Sequence, residues 1–178
     1  ELATELHDCA YNIVELEKKL KLDAQDYLFN SLLSFLLGVR TIYFHNYSWG
    51  FVQLYYSIFY CFRYKLASEN IGLFRTYGNY LQLSLKSSKK LEKIDKNQRN
   101  THEAVLFLYK KSFPTSYLLS NLINDVDVIE WYKNLRDIIN YKAVRFYEPS
   151  YLSIFEKFSN FSGDFFNILC SKFFIIII

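Results

Sequence analysis

A chain of 178 residues with 51% hydrophobic and 22% charged side chains is long enough to bury a sizeable core, and too apolar to be disordered. Its net charge of +3 is too mild to demand a polyanionic partner. Five Gly and two Pro are few for a turn-rich β domain, so the expected fold is all-α, an up-and-down bundle of about five main helices over a single domain, 1–178.

The first expected helix carries Leu2, Leu6, Cys9, Ile13, Leu16 and Leu20 at alternating steps of four and three, with Glu5, Glu15, Lys18 and Lys19 on its other side. Asp23 and Asp26 read as a break and as the cap of a second helix over 27–44. The segment 45–48 reads as a turn, with Asn46 or Ser48 as cap of a third helix over 49–68, which is apolar nearly all round and so expected at the centre. Between Ser31 and Phe62 the groups able to carry charge are Arg40 and His45, so a membrane hairpin is a reading to test. The apolar runs are shorter than the roughly 20 residues a span requires, and Tyr recurs in mid-helix, so no membrane partner is expected.

Residues 73–79 read as a loop and 80–85 as a short helix. The stretch 86–100 then holds Lys86, Lys89, Lys90, Lys93, Lys96 and Arg99 against Glu92 and Asp95. It reads either as a solvated basic loop or as a patch that attracts phosphates; having no aromatic, it has no surface on which to stack bases. Thr101 is the expected cap of a helix over 102–112, and 115–124 reads as another short helix.

The most suggestive segment is 128–149. Val128, Tyr132, Leu135, Ile139 and Phe146 form one apolar stripe, Asp127 and Glu130 suit a capping box, and Pro149 supplies the stop. On a regular α-helix Arg136 and Asn140 stand one above the other, while Asp137 points about 100° away. Arg136 has two readings: an ion pair with a nearby acid, or a bidentate anchor for a phosphate, with Tyr141 donating beside it. A last helix is expected over 151–173, with Leu152, Phe155, Phe166 and Leu169 on one face, followed by Ile175 to Ile178. Four exposed Ile would invite aggregation, so they are expected in a groove, in a dimer interface, or at the cut edge of a longer chain. The absence of Met points the same way, to a piece trimmed from a longer protein.

Catalytic alternatives find little support. His7, His45 and His102 are far apart, so no metal site is expected. No Gly-x-Ser-x-Gly or phosphate-binding glycine loop occurs, and no cofactor is expected. Cys9, Cys61 and Cys170 are odd in number and widely spaced, which suits reduced thiols in a cytoplasmic protein.

Two stretches resemble the higher eukaryotes and prokaryotes nucleotide-binding (HEPN) superfamily. Tyr55-Tyr56-Ser57-Ile58-Phe59-Tyr60-Cys61-Phe62-Arg63 is similar to its aromatic core helix. Leu135-Arg136-Asp137-Ile138-Ile139-Asn140-Tyr141, followed by Arg145-Phe146-Tyr147-Glu148-Pro149, is similar to the late helix with its signature of Arg, a polar residue, and then His. Arg136 and Asp137 match the start of the signature; the His is absent, position 141 being Tyr. The resemblance covers 27–171 loosely. It implies a helical module of a defence or toxin–antitoxin system that binds RNA, nucleotide or a partner such as a nucleotidyltransferase or another defence protein. It further implies a homodimer with Arg136, Asn140 and Tyr141 in the dimer cleft, and Lys86, Lys89, Lys90, Lys93, Lys142 and Arg145 available to a nucleic acid. Active relatives imply a metal-independent endoribonuclease. Loss of the His removes the natural acid–base group and makes a non-catalytic binder the first expectation, with the ribonuclease and a structural dimerisation scaffold as alternatives.

Overall fold

The computed structural model describes residues 13–76, 78–86, 91–94, 100–123 and 125–142, with the backbone alone at 141 and 142. In chain order the elements are α1 (Ile13–Tyr43), α2 (Tyr47–Ser68), β1 (Ile71–Thr76), β2 (Asn79–Ser84), β3 (Leu91–Lys93), α3 (Thr101–Ser112), α4 (Tyr117–Ser120), β4 (Leu122–Ile123), β5 (Val126–Asp127) and α5 (Val128–Asp137), which runs into a π-helical turn, Ile138–Lys142. The fold is mixed α/β. The all-α expectation fails on the two antiparallel sheets, one ordered β1-β2-β3 and the other the pair β4-β5.

The expected break at Asp23–Asp26 does not occur, and α1 runs unbroken for 31 residues. An interior Asp costs a helix only about 0.7 kcal/mol relative to Ala, and the apolar positions on either side keep one phase through it. The residues Leu2, Leu6 and Cys9 of the expected first helix lie outside the described residues. α1 ends where His45 takes φ 62, with His45 N–H donating to Ile42 O and Asn46 N–H to Thr41 O. This Schellman closure reverses the chain. Asn46 then caps α2, accepting from Trp49 N–H at 3.4 Å.

The resulting α1–α2 hairpin is the spine of the molecule, and small residues set its spacing. Ser31 and Ser57 are fully buried, and each hydroxyl donates to the other's carbonyl at 2.9 Å. Ser31 Oγ also lies 2.9 Å from Cys61 Sγ, and burial pushes the Cys61 thiol pKa up. One end of the hairpin is tighter still: a Cβ on Gly50 would sit 2.5 Å from Ile42 Cγ1 and 3.2 Å from Gly38 O. The main core lies on the other side of α2, where Tyr55, Phe59, Phe62 and Leu66 pack against Ala104, Val105, Leu108 and Tyr109 of α3 and Ile129 of α5.

Residues 71–85 form a hairpin instead of the expected loop and short helix. Thr76 pairs with Asn79 and Ile71 with Ser84, and Gly78 at φ 78 makes the turn. Leu81, Leu83 and Leu85 alternate with Gln82 and Ser84, the period-two pattern of a strand, and the three Leu are buried. The basic segment contributes β3, whose Leu91 pairs with Leu83, so it is not a loop throughout. Leu83 and Leu85 close a smaller cluster with Leu20 of α1.

The α3 helix begins at Thr101, its expected cap, and the cap is the residue before it: Asn100 accepts from Glu103 N–H at 3.0 Å. In place of the expected helix over 115–124 there is a single turn, α4, followed by the two-residue strands of the second sheet. The expected helix over 151–173, with Pro149 and the terminal Ile run, lies outside the described residues.

Candidate functional site

The sequence of α5 fixes its start. Asp127 Oδ1 accepts from Glu130 N–H at 2.9 Å, and its other oxygen meets Lys110 Nζ of α3 at 2.7 Å. Burial pushes the Asp127 carboxyl up, but the Lys110 ammonium and the cap hydrogen bond outweigh it and hold its pKa below the usual range. Leu135 and Ile139 then pack against Ile42 of α1 and Phe51 of α2. With these contacts set, Arg136 turns inward and is only 8% exposed.

Inside, the guanidinium meets an aromatic chain. Its carbon lies 4.9 Å from the Tyr55 ring centre, and Nη2 donates to Tyr55 Oη at 3.5 Å. Nη1 pairs with Asp137 Oδ1 at 2.9 Å. Tyr55 Oη is 2.9 Å from His102 Nδ1, and the His102 ring sits 4.3 Å from the Phe59 ring, centre to centre. Burial, and then the Arg136 charge, lower the His102 pKa, so the imidazole is neutral near pH 7. A neutral ring that accepts the Tyr55 proton at Nδ1 carries its own proton on Nε2. The order Arg136, Tyr55, His102 is therefore a relay of donors and acceptors across α5, α2 and α3.

The other expected site residues divide. Asn140 is exposed on the π-turn. There the widened winding ends the α-helical alignment that would have stacked it on Arg136, and the two side chains differ in exposure. The backbone of Tyr141 and Lys142 continues that turn. Lys86 is exposed and binds Glu69 at 2.6 Å; this hydrogen bond is the main cause holding the Glu69 carboxyl below its usual pKa. Lys93 is exposed on β3. Lys89, Lys90 and Arg145 lie outside the described residues.

Sequence reasoning missed Tyr55 and His102 as partners of Arg136. They stand 81 and 34 positions away from it in sequence. The spacing of Tyr55, Phe59 and Phe62 marks Tyr55 as a core residue, and nothing local marks His102.

Elsewhere a cavity of about 50 Å³ between α1, α2 and β1 is lined by Tyr27, Arg63, Leu66 and Phe74, with the Arg63 guanidinium 4.1 Å from the Tyr27 ring centre. It has room for a water or two, against the roughly 300 Å³ at which small-molecule sites begin. Among the described residues no three of His, Cys, Asp and Glu come together to hold a metal ion. No helix among them is long and apolar enough to cross a membrane. Compared with models of known protein families, with curated proteins and with solved structures, the chain matches none.

Proposed function

We propose that this chain is a non-catalytic assembly module of the cytoplasm, which works by holding a protein surface. One contrast carries the reading. Arg136, the expected anion anchor, is 8% exposed and committed to Tyr55 and Asp137, whereas Phe29 on α1 is 66% exposed within a row of uncovered apolar side chains. A guanidinium enclosed in this way would have to break its internal contacts to take a phosphate, while uncovered apolar area gains free energy on contact with another apolar surface. The buried free thiol of Cys61 suits a reducing compartment.

A second reading, the metal-independent endoribonuclease with RNA as substrate, is favoured by one observation: α3 supplies a neutral imidazole, His102, to the Arg136 cluster through Tyr55. Labelled RNA decides between the two. Purified full chain is incubated with it, with and without chelator. Uncut RNA in both supports the assembly module. Cleavage that survives chelator and is lost in His102→Ala and Arg136→Ala overturns it in favour of the enzyme.

A further inference from the structure

α1 carries two apolar stripes. The first, Leu20, Ala24, Ser31, Phe35, Val39 and Ile42, is buried. On the opposite side Leu22, Leu33, Leu37 and Phe44, the last just past the helix end, stand two positions after Leu20, Ser31, Phe35 and Ile42, and they are exposed together with Phe29, Leu36 and Tyr43. Two residues along an α-helix turn it by about 200°, so the second stripe faces directly away from the first. The charged residues Asp26 and Arg40 interrupt it, and both are exposed. The steps from Leu22 through Asp26, Phe29, Leu33, Leu36, Arg40 and Tyr43 alternate four and three, the seam of a helix that packs lengthwise against another.

Part of the exposed face of α1, with Leu37 and Phe44 in place of Leu36 and Tyr43, is symmetric in residue type about Leu33. Positions equidistant from it are Phe29 and Leu37, then Asp26 and Arg40, then Leu22 and Phe44. Laid antiparallel on an identical face, Leu33 meets Leu33, Phe29 meets Leu37, Leu22 meets Phe44 and each Asp26 meets the other copy's Arg40, while Leu36 and Tyr43 fall opposite Asn30 and Asp23. From the end positions the seam runs roughly 33 Å. Its seven apolar residues, each exposing on the order of 100 Å², approach the roughly 800 Å² per partner of a standard interface.

We infer that α1 is a self-association surface whose occupant is α1 of a second copy of this chain, antiparallel about a two-fold axis at Leu33, with the Asp26–Arg40 pairs setting the register. A two-fold axis makes such a contact closed, so assembly stops at a dimer. The inference rests on the assembly reading above and names its partner. It places the homodimer contact on α1, not on the 128–149 segment.

Sedimentation equilibrium of the full chain tests it, with wild type, Asp26→Arg, Arg40→Asp and the double variant. Both positions are exposed, and circular dichroism checks that the helices persist. The expected result is a wild-type dimer, a dissociation constant raised roughly ten- to hundredfold by either single change, and recovery to within about threefold of wild type in the double variant. Wild type that is monomeric overturns the inference, whether residues of the same chain or nothing covers the stripe. So does a dimer indifferent to both single changes, or one that dissociates when anionic phospholipid vesicles are added and sediments with them. These failures leave the RNA result untouched, so the loss of the partner is distinguishable from the loss of the assembly reading.

Discussion

Replacing Arg136 with Ala separates a guanidinium that holds the fold together from one kept for a ligand. Three contacts go. The ion pair with Asp137 is worth about 0.5–1 kcal/mol, because the Asp137 side chain is 35% exposed and water screens it. The hydrogen bond to Tyr55 Oη, at 3.5 Å, is at the limit of its range, and the phenol keeps His102 as partner, so no buried group is orphaned. The stacking on the Tyr55 ring is desolvated and contributes about 1–2 kcal/mol, including the packed stem. The sum is about 1.5–3 kcal/mol, below the roughly 3–5 that stripping the partner from a fully buried acid would cost. For a chain of this size, Tm falls by about 5–10 °C. Urea unfolding with linear extrapolation measures the change, and Arg136→Met, which keeps the stem, recovers part of it.

His102 gives a second readout of the same substitution. Its folded-state pKa lies below the ordinary 6.5, so between those two values the unfolded chain binds more protons. The stability it contributes is complete above about 6.5 and is lost as pH falls toward the depressed value. Arg136 is the second cause of that depression, after burial. In Arg136→Ala the His102 NMR titration therefore moves up without reaching 6.5, and the acid-side slope of stability flattens. A His102 titration that stays put, with unfolding unchanged, would refute the cluster as described.

Three further outcomes are expected. Gly50→Ala lowers Tm, because the Cβ placed 2.5 Å from Ile42 Cγ1 costs about 1–3 kcal/mol of overpacking while better helix propensity returns only about 1; a rise in Tm counts against the close crossing of α1 and α2. Asp127→Ala costs about 1–2 kcal/mol through the lost cap. Asp127→Asn keeps the cap but loses the Lys110 pair, so the stability that wild type sheds as pH falls through the carboxylate range is shed less steeply, as urea unfolding from pH 3 to 7 will report. Ser31→Leu unfolds the hairpin more readily than Ser31→Ala, which loses the buried hydrogen bonds of Ser31 Oγ with Ser57 O and Cys61 Sγ, together worth about 1–2 kcal/mol; equal effects in thermal unfolding would contradict the tight contact at Ser57.

Helix α2, α3 and the Asp127 cap of α5 were legible because each announces itself within a few residues, and the choice between Asn46 and Ser48 as the cap of α2 falls to Asn46. The hairpin was misread as a loop and a short helix: the alternation of Leu81, Leu83 and Leu85 marks a strand, but the scarcity of Gly and Pro weighed against strands, and one Gly in the right place is enough for a turn. Asp23 and Asp26 were misleading for the opposite reason: both lie on exposed faces of a helix that packing sustains. The inward turn of Arg136 was not legible, since Leu135 and Ile139 orient it only by meeting Ile42 and Phe51, contacts made across the whole chain.

Sedimentation velocity of the full chain, wild type beside Leu33→Arg, tests the central claim most directly. With α1 as the working surface, the wild-type coefficient rises with concentration and that of the variant stays at the value of a 21.3 kDa monomer. Two proteins sedimenting alike as monomers at every concentration would contradict it.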